Sequence, residues 1–319
     1  MFAVVFPGQG SQKPGMGRSF YEHFSESRAV FDAVGSAAGR DVAALCFESD
    51  DETLRQTQNA QIALYAAGLA AYAALRARLG DWAPKAAAGH SVGEYTAIAA
   101  AGIVTVEDGA RLVQLRGELM AASGSVRPGT MAAVLGLEKA EVDRVCREAS
   151  TSSEVVVVAN DNCPGQLAIS GDVAAVERAS KALVEAGAKR VVPLNVSGAF
   201  HSPLMEEPAQ RMGAALHQTR FAASGENIVV YSNVTAEPVD LPAGWPVLLE
   251  TQLKSPVRWT ESIRHMRRDE VEVFVECGGG EVLSGLIRRI DGMGKTLKVA
   301  DPESLEATVA ELRSHRVGA

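Results

Sequence analysis

Two rhythms alternate along this chain. Short apolar runs, at residues 3–6, 227–232, 271–276 and 296–299, have the length of strands and read as strands buried in a sheet. Between them lie longer stretches whose apolar positions return every three or four residues, which is helical spacing. These predict helices over residues 19–34, 58–79, 105–122, 203–218, 245–253, 260–268, 282–290 and 304–314. Thr105 and Asp108 suit the start of the third, as cap and first-turn acid. The 58–79 segment carries small residues on several faces, as a helix enclosed by neighbours would. Strands alternating with helices predict a parallel sheet covered on both faces.

The middle of the chain changes rhythm. Residues 124–129 hold glycine, serine and proline and read as a linker. Then follow a strand (130–135), a helix (139–149), two strands (154–159 and 166–170), a helix (173–186) and a strand (189–194). This β-α-β-β-α-β order is the ferredoxin-like pattern, here read as a small domain inserted into the larger one.

The chemistry concentrates at Gly89-His90-Ser91-Val92-Gly93. A mostly small and apolar run (83–88) leads in and a helix-forming run leads out, the strand–turn–helix setting of a nucleophile elbow. A turn that sharp brings two backbones together, so side chains at the flanking positions would clash. The serine hydroxyl is then presented at a helix N-terminus, where unpaired N–H groups favour developing negative charge. Ser91 is therefore read as a nucleophile toward acyl groups. Among six histidines, His201 is the candidate base. It lies in Ser197-Gly198-Ala199-Phe200-His201-Ser202, a loop after a strand and before a helix, where active-site residues of open α/β sheets collect.

Composition narrows the remaining choices. Of 319 residues, 47% are hydrophobic and 22% charged, ordinary for a globular enzyme. A net charge of −8 argues against non-specific nucleic-acid binding. No uninterrupted apolar run approaches the ~18 residues of a bilayer span, and the N-terminus has no basic leader. Four cysteines without Cys-x-x-Cys spacing indicate neither a disulfide framework nor a zinc site, and fit a reducing, cytoplasmic compartment.

Six ordered segments carry a family resemblance: residues 6–12 (FPGQGSQ), 89–95 (GHSVGEY), 114–117 (QLRG), 162–166 (NCPGQ), 198–202 (GAFHS) and 252–259 (QLKSPVRW). Together they resemble malonyl-CoA:acyl-carrier-protein transacylases, the stand-alone enzymes of fatty-acid synthesis and equivalent domains of polyketide synthases. The likeness spans essentially the whole chain. It implies an α/β-hydrolase-like core (residues 1–125 and 197–319) with an inserted ferredoxin-like domain (residues 126–196). It implies malonyl-CoA and the phosphopantetheine arm of an acyl carrier protein as partners, with no metal and no bound cofactor.

The resemblance also assigns roles. Ser91 looks like the nucleophile and His201 the general base and acid. Arg116 looks like the two-pronged partner of the malonyl carboxylate, a match lysine would not make. Gln9 and Val92 would supply oxyanion-hole N–H groups, and Gln252 a main-chain carbonyl that orients His201. The family uses a Ser–His dyad, so Asp161 and Asp172, inside the small domain, are set aside. Phe200 before the histidine resembles malonyl users, where methylmalonyl users tend to carry serine. Gly198 and Gly279 depart from residues common in the family, with looser loops as the expected consequence. Two basic pairs, Lys189-Arg190 and Arg288-Arg289, are candidates for carrier docking. Open alternatives are a thioesterase-like hydrolase on the same scaffold, a non-enzymatic docking module, and a trans-acting polyketide acyltransferase with another extender unit.

Overall fold

The computed structural model describes residues 1–317. Among these residues nine strands form two sheets: β1 (Phe2–Phe6), β2 (Ala86–Gly89), β3 (Gly129–Leu135), β4 (Val156–Cys163), β5 (Gln166–Asp172), β6 (Arg190–Pro193), β7 (Val229–Val230), β8 (Val273–Cys277) and β9 (Lys295–Val299). The larger sheet runs β7-β2-β1-β8-β9 and is parallel throughout. The smaller runs β4-β5-β3-β6 and is antiparallel. Its strand order is that of the ferredoxin-like pattern read from the sequence.

The strand period of two sorts β1 between two cores. Phe2, Val4 and Phe6 join a cluster built on the Thr57–Leu79 helix, while Ala3 and Val5 join Trp259, Ile263, Leu283 and Ile287 on the opposite face. All five residues of β1 are buried, as are those of β8, which is why both read as apolar runs. The Thr57–Leu79 helix is long and apolar enough to cross a bilayer by composition, but 72% of its most apolar stretch is buried inside the fold. It packs on the Ser25–Ala38, Val92–Ala100 and Val106–Val126 helices and serves as a core helix. In the smaller sheet, Val134, Val158, Leu167 and Ile169 face the Lys139–Ala149 and Val173–Glu185 helices. Met131, Ala159 and Ala168 instead belong to the core of the larger sheet. The two sheets therefore lean on each other.

Several expectations needed correction. The 124–129 linker is not a loop: the long helix runs to Val126, and β3 starts at Gly129. Gly124 is there for contact, since a Cβ on it would lie 1.9 Å from the Ser197 carbonyl oxygen. The 19–34 helix breaks at Phe24, whose extended backbone (φ −127°, ψ 121°) ends one helix and begins the next. Two short helices, Val42–Glu48 and Asp51–Arg55, were not anticipated, although Asp41 and Asp50 cap them by accepting from Ala44 N and Thr53 N. Gly198 does not loosen its loop, because a Cβ there would meet Ser123 Oγ at 2.5 Å.

Candidate active site

Parallel pairing of β1 and β2 places Phe6 opposite Gly89, so the loops leaving both strands emerge side by side. One carries Gln9, the other Ser91. The glycine requirement at the elbow is steric. A Cβ on Gly89 would fall 1.9 Å from the Gly93 carbonyl, and one on Gly93 would fall 2.1 Å from the Phe6 carbonyl oxygen. Between them Ser91 takes φ 53°, ψ −111°, a conformation that costs backbone energy and turns its side chain out of the turn. The helix Val92–Ala100 begins immediately after it.

Ser91 Oγ lies 2.8 Å from His201 Nε2. His201 Nδ1 lies 2.8 Å from the main-chain carbonyl of Gln252. A carbonyl only accepts, so Nδ1 must carry the proton, leaving the Nε2 lone pair facing the serine hydroxyl. His201 is buried, and its pKa is pushed down to about 3, first by burial and then by the positive charge of Arg116. The imidazole is thus neutral at physiological pH, as a base must be. Its backbone, at φ 56°, also sits in the left-handed region.

Arg116, on the Val106–Val126 helix, reaches the same spot from below. Its guanidinium donates to Ser91 Oγ at 3.0 Å, Gln252 Oε1 at 2.9 Å and Gln61 Oε1 at 2.6 Å, and lies over the Tyr95 ring. The side chain is 1% exposed, and among the described residues no carboxylate forms an ion pair with it. The nearest compensating charge, Glu94, acts only through the intervening Gln252, so the buried cation stays costly and an anionic ligand in contact with it would relieve that cost. The amides of Gln9 and Val92 meet no acceptor among the described residues, and both residues line the cleft.

That cleft encloses about 370 Å³ between the two sheets. Its walls include Ser91, His201, Arg116 and Phe200, with Met120, Met131, Leu194 and Val196 as the apolar part. Every residue the sequence proposed for the site is on or against this cleft. Asp161 is engaged by Thr260 Oγ1 at 2.6 Å and Asp172 by Arg127, so neither serves the imidazole. Of the basic pairs, Arg289 is occupied by Gln166 Oε1 and the Pro164 carbonyl, and Arg288 by Thr296 Oγ1.

Sequence reading missed three polar residues. Gln61 holds Arg116, and its apolar helical surroundings hid it. Asn233 accepts from Ser91 N at 2.8 Å and donates to the Gly89 carbonyl at 2.7 Å, clasping the elbow from both sides. Glu94 takes Gln252 Nε2 at 2.5 Å and Asn233 N at 3.0 Å. Only Glu94 left a signal, as the last residue of a Ser-x-x-Glu pattern.

This arrangement can deprotonate a hydroxyl, hold an oxyanion and bind a carboxylate within one cleft. Comparison with known proteins agrees. The acyl transferase domain profile matches residues 3–290. The chain belongs to the acyl transferase family. This acyl transferase is 38% identical to the malonyl CoA-acyl carrier protein transacylase of Bacillus subtilis, over 98% of this chain and 97% of that protein. The crystal structure of a malonyl-CoA:acyl carrier protein transacylase from Xanthomonas oryzae superposes with a TM-score of 0.92 at 42% identity, covering 97% of this chain and 98% of that one. A malonyl-transacylase solved in complex with its type II polyketide acyl-carrier protein superposes at 0.91 with 36% identity, covering 97% and 99%.

Proposed function

We propose that this acyl transferase moves malonyl from malonyl-CoA to the phosphopantetheine thiol of an acyl carrier protein, through a malonyl ester on Ser91. The observation that carries the reading is the placement of Ser91 Oγ between an imidazole lone pair at 2.8 Å and a buried guanidinium at 3.0 Å. His201 takes the hydroxyl proton as Oγ attacks the thioester carbon. The tetrahedral oxyanion sits against the amides of Gln9 and Val92, where losing one donor would cost about 10²–10³ in rate. Collapse expels coenzyme A thiolate, which receives the proton from His201. The carrier thiol then attacks the ester by the same steps in reverse, and Ser91 is regenerated. The main-chain carbonyl of Gln252 steadies the imidazolium between these steps.

Arg116 selects the acyl group. Malonyl places its carboxylate two bonds from the carbon under attack, so a guanidinium beside Oγ is within its reach. The planar fork offers two charge-assisted hydrogen bonds to that carboxylate. The apolar walls leave the methylene dry. We assign the protein to the cytoplasm, a reading supported by four buried, unpaired thiols. We divide the chain into a catalytic unit, residues 1–125 with 197–319, and a small unit, residues 126–196, because the two sheets divide in the same way.

The test is a two-stage assay. Incubation with malonyl-CoA alone should give a covalent malonyl adduct on the intact protein. Adding holo carrier protein should discharge it onto the carrier faster than free malonate appears. Malonate release outpacing carrier acylation would turn the reading toward a hydrolase.

Phe200, 5% exposed, closes the cleft beside His201. Its ring occupies space that an α-methyl on the acyl chain would need. Phe200→Ser should raise the methylmalonyl-to-malonyl ratio of kcat/KM by roughly 10–200-fold, the worth of one methyl in an apolar pocket. An unchanged ratio would remove Phe200 from the selectivity argument.

A further inference from the structure

Among the described residues, Glu94 is the one buried carboxylate against the site that the reaction above leaves without a task. It is 1% exposed and occupies the third position of the Val92–Ala100 helix. Ser91-Val92-Gly93-Glu94 has the spelling of a capping box, in which the serine hydroxyl caps the helix and the glutamate reaches back to the serine N–H. The structure does neither. Ser91 Oγ makes no cap bond, because it is turned to His201 and Arg116. The Ser91 N–H goes instead to Asn233 Oδ1. Glu94, relieved of that partner, spends one oxygen on the Asn233 amide N–H and the other on Gln252 Nε2.

Those two residues hold opposite ends of the reacting pair. Asn233 grips Ser91 N and the Gly89 carbonyl, which fixes the strained elbow. Gln252 supplies the carbonyl for His201 Nδ1, and its side chain also meets Arg116 and the Ser91 carbonyl. A carboxylate only accepts, so it forces the Gln252 amide to present nitrogen to Glu94 and oxygen to Arg116. We propose that Glu94 is a positioning residue for acyl transfer: it locks Asn233 and Gln252 together, so that the serine hydroxyl and the imidazole stay in attack register. The inference rests on the Ser91–His201 mechanism proposed above. Burial raises the Glu94 pKa to about 7, opposed first by the Gln252 hydrogen bond, and the group remains an acceptor from Gln252 as long as it is ionised.

Glu94→Gln tests it. The variant keeps the shape but turns one acceptor into a donor facing a donor, so one of the two grips is lost. Single-turnover malonylation, followed by intact mass, should show the maximal acylation rate falling about 10–100-fold, as misplacing reacting groups does. The KM for malonyl-CoA should stay within a few-fold, because Arg116 and the cleft walls remain. A control separates this from general loss of fold. Glu276 is also a buried carboxylate, accepting from Leu283 N and Ser284 N at another helix start. Glu276→Gln should lower stability while each folded molecule acylates at the wild-type rate. Equal rates for Glu94→Gln and wild type, or a loss that matches Glu276→Gln per folded molecule, would overturn the proposal. Should Glu94→Gln not fold, Glu94→Asp keeps the charge but is too short for both partners. A maximal rate below wild type at unchanged KM supports the proposal, and a wild-type rate refutes it. Failure of the unmodified protein to accept malonyl would instead overturn the mechanism on which the inference rests.

Discussion

Ser91→Ala gives a protein that folds but takes no malonyl: after incubation with malonyl-CoA, the intact mass is unchanged and carrier acylation falls by about 10⁶. The size follows from the role. The other groups assist an attack by Oγ, and without Oγ there is no ester to pass on. What remains is a neutral imidazole and a set of donors that can at most activate water, so residual turnover should appear as free malonate. The fold should survive, because alanine keeps the Cβ that the φ 53° turn already accommodates. Active-site groups are commonly held at a cost to stability, so the melting temperature should be unchanged or slightly higher. A Ser91→Ala protein that still accumulates a malonyl adduct would show that the nucleophile is another residue.

How much of this site could be read from the sequence depended on the distance over which each role is encoded. The elbow is local: glycine, serine and glycine within five residues, flanked by a strand and a helix, specify their own geometry. The placing of Ser91 at the tip of that turn was therefore legible from the residues alone. His201 was legible as a candidate because a loop combining glycine, an aromatic ring and imidazole has few other uses. Arg116, Gln252, Gln9 and Val92 were different. Nothing in an amphipathic helix marks which arginine points inward, so these roles came from family resemblance rather than from pattern. Asn233 and Gln61 stayed hidden because they act across more than fifty positions of sequence. Asn233 reaches Ser91 from just beyond a two-residue strand, and Gln61 reaches Arg116 from inside an apolar helix. The fold followed the same rule. Central strands buried on both faces were found, since their apolar runs are continuous. The two-residue edge strand β7 was overestimated, and the 42–48 and 51–55 helices were missed because each is too short to show a period.

Both members of the reacting pair are held at positive φ, Ser91 at 53° and His201 at 56°. Such residues persist only where the surroundings over-determine them. Here the surroundings are explicit. The elbow is clamped by Asn233 on two sides, and His201 N donates to the Leu253 carbonyl while its ring is held by Gln252. One segment, Gln252-Leu253, thus fixes both backbone and ring of the base. The strain is stored at the two points where a fixed hydroxyl–imidazole distance matters most, and substrate binding need not assemble the pair.

Arg116→Ala should invert the acyl preference, lowering kcat/KM for malonyl-CoA by roughly 10²–10⁴-fold while acetyl-CoA changes by less than about tenfold. Two charge-assisted hydrogen bonds in a dry cleft, at about 1.5–3 kcal/mol each, set the first figure. Acetyl makes neither bond and loses little. Arg116→Lys should fall between, keeping the charge without the fork. A second effect acts on the base. The Arg116 charge is, after burial, the largest influence holding the His201 pKa down. On the role proposed for Arg116, a docked malonyl carboxylate would cancel that charge at the moment the imidazole must accept a proton, so the substrate would strengthen its own base. Acetyl cannot do this. The pH profile of kcat/KM reports groups on the free enzyme. The base works only when neutral, so its own limb lies where falling pH crosses its pKa, near pH 3 in the native protein, below the separate loss expected as Glu94 takes up a proton near pH 7. Removing Arg116 should move that limb upward in the acetyl-CoA profile. Burial, the larger cause, remains, so the limb should stay below the ordinary histidine value of about 6.5. An unaltered malonyl-to-acetyl ratio would dismiss Arg116 as the carboxylate partner, and an unmoved acid limb would dismiss its hold on His201.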